Sequence, residues 1–355
     1  MRLTRSDNSR EAVQVSNTND EPGDWTFTQV DCEIAGRLRS VIPSRLFDVH
    51  AHLYRTCDLG EPAPALASRG PGVVDAEVWR NRLSQCVGAD RLIGALFFPY
   101  PAKGGNVRAA NEFLISQLDL AELIRGLILV TPEAALREVG EHAAHPRVCG
   151  FKPYHLFAGG PDTFEAEIED YAPEWVWGLA HERRLVIMLH LVRSRALSDP
   201  GNQRSILRLC SKYPDAKLIL AHAGRGFHAP NTIDALPVLR GIDNLWFDSS
   251  AICEPEALMA VIKTLGPGRL LWGSDFPVSH QRGKCATVGD AFSWVCPRRI
   301  DVDPTAPTCH PTLVGLESLR ALAVAAQLLD LTSEDLDRIF FRNAVQLLGM
   351  TGGVS

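Results

Sequence analysis

From residue 45 onward the chain repeats one alternation: a short apolar run, then a longer stretch in which apolar positions recur every three or four residues. The short runs are Arg45–Val49, Leu92–Phe98, Ile124–Val130, Val148–Tyr154, Leu185–His190, Lys217–His222, Leu245–Ser249 and Leu270–Ser274. Continuous apolar runs of this length predict strands covered on both faces. Helical spacing marks Val107–Asp119, Pro132–Ala144, Thr163–Arg184, Gln203–Tyr213 and Pro255–Leu265, with plausible starts at Thr131-Pro132, Asp162 and Glu254-Pro255. Eight strands alternating with helices predict a closed α/β fold, the (β/α)8 TIM barrel, rather than an open sheet. Val30, Ile34, Leu38 and Ile42 step by four and predict a helix leading into the first strand. Leu319–Leu329 and Ser333–Leu348 predict two helices that close the barrel.

Two stretches break the alternation, Leu53–Gly72 after the first strand and Ser279–Leu313 after the eighth. In a barrel both overhang the C-terminal face, where substrate loops belong. Residues 1–24 carry few apolar side chains and read as a mobile tail, which leaves 25–355 for one barrel domain.

Composition narrows the function. Hydrophobic residues make up 46% of the 355 and charged residues 22%, which excludes a disordered or collagen-like chain. A net charge of -6 without a long basic stretch speaks against nucleic-acid binding. The most apolar windows, such as Leu185–Leu191, are too short to span a bilayer. The N-terminus has no apolar core of a signal peptide. Nine irregularly spaced cysteines without a C-x-x-C pair read as reduced thiols, so a cytoplasmic location is expected. The partner left is a small molecule, with a homo-oligomer open.

The chemistry gathers at strand ends. Strand one closes on Phe47-Asp48-Val49-His50-Ala51-His52, where residues 48, 50 and 52 share a face. Strand five ends at His190, strand six at His222, and strand eight runs into Asp275. In a parallel barrel these ends converge, and imidazoles with one carboxylate suit Zn²⁺ or a similar divalent ion. For any one of these histidines alone, a hydrogen-bonded core residue is the commoner reading; their shared position argues otherwise. Arg193 and Arg225 each follow a strand end by three residues and suit a substrate carboxylate, or else serve as solvated loop arginines. Cys285, Cys296, Cys309 and His310 invite a second zinc reading, but their spacing matches no finger pattern. Asp48 is expected to orient a ligand or to end a hydrogen-bond chain.

FDVHAH, the His-Leu after strand five, AHAG after strand six, WGSDFP after strand eight and the closing FRNAVQLLG together resemble the amidohydrolase superfamily, in its amidohydrolase-related branch of metal-dependent barrel enzymes. The resemblance covers about residues 45–350. It implies that His50, His52, His190 and Asp275 hold the metal. His222 would stand beside it to polarise substrate or carry a proton, and Asp275 would also take the proton of the attacking water. Strand four offers Lys152, Tyr154 and His155 as substrate contacts. In some branches a carbamylated lysine at this strand bridges two metals; the branch resembled here generally uses one. One ion is therefore expected, zinc first and manganese next, with a binuclear site on carbamylated Lys152 as the competing arrangement.

The leading expectation is a metal-dependent hydrolase that sends activated water at an ester, lactone or amide of a small polar, carboxylate-bearing substrate. A decarboxylase or hydratase on the same barrel is the alternative, and a non-catalytic binding barrel stands third. The convergence of these groups argues against the third, because a scaffold has no use for it.

Overall fold

A computed structural model of the chain describes residues 24–296 and 310–350. Eight parallel strands form the frame: β1 Leu46–Arg55, β2 Leu92–Pro99, β3 Ile124–Val130, β4 Val148–Pro153, β5 Val186–Leu189, β6 Lys217–Leu220, β7 Leu245–Asp248 and β8 Leu270–Leu271. Each pairs in parallel with the next. The sheet closes between β8 and β1: Val49 N–H donates to the Trp272 carbonyl at 3.1 Å, Asp275 N–H to that of His50 at 2.8 Å, and His52 N–H to that of Phe276 at 2.7 Å. The expected (β/α)8 TIM barrel is the fold.

Its interior is a packed layer of Phe47, Val49, Leu96, Phe98, Leu127, Val186, Met188, Ile219 and Leu271, stoppered from below by Phe341, Ala344 and Leu347. Asn343 in the closing segment donates through Nδ2 to the carbonyls of Pro267 and Leu270, both at 2.8 Å, and so caps the base of β8. A second, larger apolar cluster fills the space between strands and outer helices. Among the described residues no helix is long and apolar enough to cross a membrane.

Several elements depart from expectation. β1 runs on to Arg55, where the irregular stretch was expected, because Val73–Val74 pairs with it antiparallel. A helix at Ala76–Val87 fills the first crossover, opened by the Asp75 side chain on Val78 N–H. The stretch expected as one helix over 163–184 breaks into a turn at Thr163–Glu165, a short helix Ile168–Tyr171 and a helix Glu174–Arg183. Pro173 lacks the N–H a continuous helix needs there. Inside the stretch after β8 lies an antiparallel hairpin, β9 Lys284–Val288 and β10 Ala291–Val295. The expected tail at 1–24 lies, except for Asp24, outside the described residues.

One buried ion pair ties the front of the chain to its end. Thr28 caps the helix Gln29–Leu38, and Asp31 in the first turn returns the bond. The Asp31 carboxylate also meets Arg282 Nη2 at 2.8 Å, and neither side chain reaches solvent appreciably. Arg282 in turn donates to the carbonyls of Thr26 and Pro311, both at 2.6 Å. Burial alone raises the Asp31 pKa, but Arg282 and Thr28 outweigh it and the net shift is downward. Arg282→Met, which leaves Asp31 buried and unpaired, should therefore cost about 3–5 kcal/mol in urea unfolding at neutral pH. A depressed carboxyl contributes its stability above the unfolded value and loses it as pH falls through the folded one. The difference between wild type and Asp31→Asn should accordingly shrink below about pH 4; a difference that holds constant to pH 3 would contradict the assignment.

Candidate active site

β1 buries Asp48, His50 and His52, but the expected common face is broken by a register irregularity between Asp48 and Ala51: His50 and His52 line the cleft, whereas Asp48 turns to Trp79 of the first crossover helix. Asp48 accepts from the backbone N–H and hydroxyl of Ser274 at 2.8 and 2.6 Å, from Trp79 Nε1 at 2.9 Å and from His50 N–H at 3.1 Å. It is thus the end of a hydrogen-bond chain that locks β1 to the segment after β8 that bears Asp275. Gly273 is required beside it, since a Cβ there would stand 2.7 Å from the Cβ of His50.

Each inner imidazole has an acceptor on Nδ1. His50 Nδ1 lies 2.9 Å from the Asp248 carboxylate, His222 Nδ1 lies 3.0 Å from the Ser250 carbonyl, and His52 Nδ1 lies 3.5 Å from that of Pro99. A carbonyl only accepts, so the proton sits on Nδ1 and the lone pair on Nε2. The Nε2 atoms of His50 and His52 then face the Asp275 carboxylate at 3.2 and 3.5 Å. Lone pairs and a carboxylate at that range repel unless positive charge stands between them. Donors of a tetrahedral ion with bonds of 2.0–2.1 Å are roughly 3.3 Å apart, so the donor set fits a divalent cation. Among the described residues neither Lys nor Arg forms an ion pair with Asp275, whose partners are His50, His52 and His222.

Burial and neighbouring charge shift these groups in different directions. Burial pushes Asp275 up, but His222 and His50 outweigh it and hold the carboxyl well below its usual range. Burial pulls His52 down to about 4 and also lowers His222 and His190. His50 moves up instead, because Asp248 and Asp275 overcome its burial.

Among the described residues, His50, His52 and Asp275 form one group whose ligand atoms all lie within 4.8 Å of one another. His190, expected as a fourth ligand, is not in that group. Its ring stands 5.1 Å from that of His222 and 5.3 Å from that of Tyr154, and its Nδ1 is buried without a partner among the described residues. A second group joins His50, His222 and Asp248. Here Asp248 acts as a hub: it accepts from His222 N–H at 2.9 Å and from the Ser250 hydroxyl at 2.5 Å, besides meeting His50. Asp248 and Ser250 were missed in the sequence, although Phe-Asp-Ser-Ser ends the seventh apolar run just as the other sites end theirs.

Above this floor opens a cleft of about 460 Å³ lined by Tyr100, Tyr154, His155, His190, Arg225 and Asp275 together with the aromatic side chains of Phe164, Phe227, Phe292 and Trp294. His155 is fixed through Nδ1 to Thr163, and burial holds it at about 4. Lys152 is fully buried behind the cleft wall; its Nζ has no hydrogen-bond partner among the described residues, lies 4.7 Å from the Phe98 ring centre, and is pulled down to about 8 by burial.

Arg193 corrects an expectation. Its guanidinium is held by Asp199 at 3.0 Å and Glu167 at 3.1 Å, outside the cleft lining, so it serves the loop after β5 rather than a substrate. Arg225 does line the cleft. Among the described residues Cys285, Cys296 and His310 form no metal group, and Cys309 lies outside them.

Comparison with known proteins accords with this geometry. The family model described as Amidohydrolase matches residues 47–350. The fold is similar to a probable 2-pyrone-4,6-dicarboxylic acid hydrolase from Acinetobacter baumannii, with a TM-score of 0.55, 14% identity, and coverage of 86% of this chain and 99% of that one. It is similar to the 2,6-dihydroxybenzoate decarboxylase from Rhizobium, with a TM-score of 0.56, 14% identity, and coverage of 87% and 99%. A dihydroxybenzoic acid decarboxylase from Polaromonas sp. JS666, solved with bound manganese and 2-nitroresorcinol, aligns at a TM-score of 0.55 and 17% identity over 86% and 97%. No curated protein sequence matches the chain.

The hub gives a direct test of the ligand set. Asp248→Asn keeps the shape but weakens the hold on His50 Nδ1 and should lower metal affinity roughly 10- to 100-fold. Chelator competition reads that change, with circular dichroism as the check on folding. Unchanged affinity would detach Asp248 from the metal centre.

Proposed function

The chain belongs to the amidohydrolase family, and on that premise we propose that it is a metal-dependent hydrolase that cleaves an ester, lactone or amide bond of a small molecule. The observation that carries the reading is Asp275: one carboxylate faces His50, His52 and His222 at 3.2, 3.5 and 4.0 Å and also lines the cleft. It is positioned both to hold a cation and to take a proton.

In this reading His50, His52 and Asp275 hold one divalent ion, zinc by the chemistry of two imidazoles and a carboxylate, and His190 completes the set from across the cleft. The ion when bound supplies Lewis acidity, which polarises a carbonyl and eases loss of a proton from water. Asp275 accepts the proton of the attacking water. His222, with its own proton fixed on Nδ1 by Ser250, uses Nε2 to carry a proton towards the leaving group. Tyr154 and His155 border the space left for the substrate, and Lys152 sets the potential behind them.

A second reading, decarboxylation, is favoured by the aromatic side chains of Phe164, Phe227, Phe292 and Trp294, which suit a planar acid. Carbon dioxide release without a hydrolysed product separates it from the first. For the hydrolase, Asp275→Asn should lower kcat by a factor on the order of 10² or more, judging from general-base contributions, in protein whose melting temperature and metal content are matched to wild type. Near wild-type turnover in metal-replete Asp275→Asn enzyme would remove Asp275 as the base.

A further inference from the structure

Residues 24–28 form a strap ahead of residue 47, where the match to the amidohydrolase family begins. The strap is fastened along its length. Asp24 Oδ1 accepts from Arg282 N–H at 2.9 Å, and its carboxylate meets Arg69 Nη2 at 3.2 Å. Trp25 N–H donates to the His280 carbonyl at 2.9 Å, and the Trp25 carbonyl accepts from Arg82 Nη1 at 3.1 Å. Trp25 holds φ at 71°, in the left-handed region that so bulky a residue rarely enters. Backbone of this kind persists where its surroundings over-determine it.

What that conformation places is the indole. It is buried, and its Nε1 has no hydrogen-bond partner among the described residues, so ring packing holds it. It meets the Phe276 ring at right angles with centroids 5.5 Å apart, and the His280 ring stands 5.6 Å from it. Gly70, in the loop after β1, closes against it so tightly that a Cβ there would stand 2.8 Å from two indole carbons.

Phe276 is fully buried and follows Asp275 directly. Its N–H donates to the Ser274 hydroxyl at 3.0 Å, and its carbonyl accepts from His52 N–H at 2.7 Å. Its backbone therefore joins two of the candidate ligands, Asp275 through the peptide bond and His52 through the hydrogen bond. Their facing atoms are 3.5 Å apart. Asp275 itself has a φ of 58°, so its turn also needs support from outside. In a close-packed interior a shift of the Phe276 ring is passed on to that backbone.

We propose that Trp25 is a positioning residue of the metal centre: from a strap outside the family region, its indole holds Phe276 so that Asp275 and His52 keep the separation a divalent cation needs. This role rests on the reading of His52 and Asp275 as ligands, and it is the same whether hydrolysis or decarboxylation follows.

The test is chelator competition for Zn²⁺ on the full chain, together with the visible absorption of Co²⁺-loaded protein. Trp25→Ala should lower Zn²⁺ affinity roughly 10- to 100-fold, the range for residues that orient ligands, and should change the Co²⁺ bands. Trp25→Phe, which keeps a ring against Phe276, should recover most of both. Gly70→Ala, which drives a methyl group into the indole, should copy the loss in wild type and add nothing in the Trp25→Ala background. It carries the test if Trp25→Ala folds poorly. Val139→Ala, in the buried face of the helix Leu136–His142, measures the effect of lost stability alone; it should lower the urea midpoint with Zn²⁺ affinity unchanged. Wild-type affinity and bands in both Trp25→Ala and Gly70→Ala would overturn the proposal. So would an equal loss of affinity in Val139→Ala, because the effect would then be general destabilisation. Wild type that takes up neither ion removes the ligand reading itself and this role with it, an outcome distinct from variants that bind as well as wild type.

Discussion

The barrel closes where β8 meets β1, and the carboxylate of Asp48 holds that seam. β8 itself offers little ladder, since its regular part is Leu270–Leu271. Asp48 supplements the backbone bonds by collecting four donors from β1, from the segment after β8 and from the first crossover helix. It is fully buried, and burial raises its pKa despite those donors. A carboxylate in such a place is tolerable only while its hydrogen bonds are made. The requirement therefore runs backwards: any shift of Ser274 that would move Asp275 away from His50 also strips Asp48 of two bonds. The seam that makes the fold a barrel is the same seam that aligns the donors of the candidate metal site.

The end of β6 shows what this alignment costs. His222, Ala223, Gly224 and Arg225 all have positive φ, at 56°, 51°, 72° and 61°. Left-handed backbone costs roughly 1–2 kcal/mol per non-glycine residue, so three of the four are strained. Asp248 bonds the first of them at its N–H, and Thr232 Oγ1 donates to the Ala223 carbonyl at 2.8 Å. Gly224 has a second reason to be glycine, because a Cβ would stand 2.8 Å from Leu197. This turn presents His222 to the floor and Arg225 to the wall three residues later. Strain of this kind is kept where surrounding bonds over-determine it and the displayed side chains have a use.

The strand ends were legible because apolar runs in a parallel barrel end at one face, so a polar residue just past each run marks that face. His50, His52, His222 and Asp275 were found that way. Asp248 obeyed the same rule and was passed over because an aspartate beside two serines reads equally well as a turn. The aromatic cover was not legible. Phe292 and Trp294 reach the cleft through a hairpin whose pairing sets which residues alternate inward, and the irregular composition of 279–313 gives no hint of it. Arg193 and Arg225 sit at the same offset from their strands, so position could not separate them. What separates them is Asp199 and Glu167, which neutralise the first and are out of reach of the second.

Stability and chemistry divide along the barrel axis. At the base the groups are satisfied: Asn343 spends its amide on two carbonyls and the interior is apolar from Phe341 up to Phe98. At the mouth they are not. Among the described residues Lys152 Nζ, His190 Nδ1 and Arg225 Nε are buried without partners, and the ion-pair partners of Asp275 are all imidazoles. Each such group lowers the stability of the free protein. A cation at Asp275 would supply what that carboxylate lacks, and a ligand that binds the folded chain but not the unfolded one stabilises it by mass action. A cation bound at the floor would thus return stability that the buried, unmatched groups at the mouth cost the free protein.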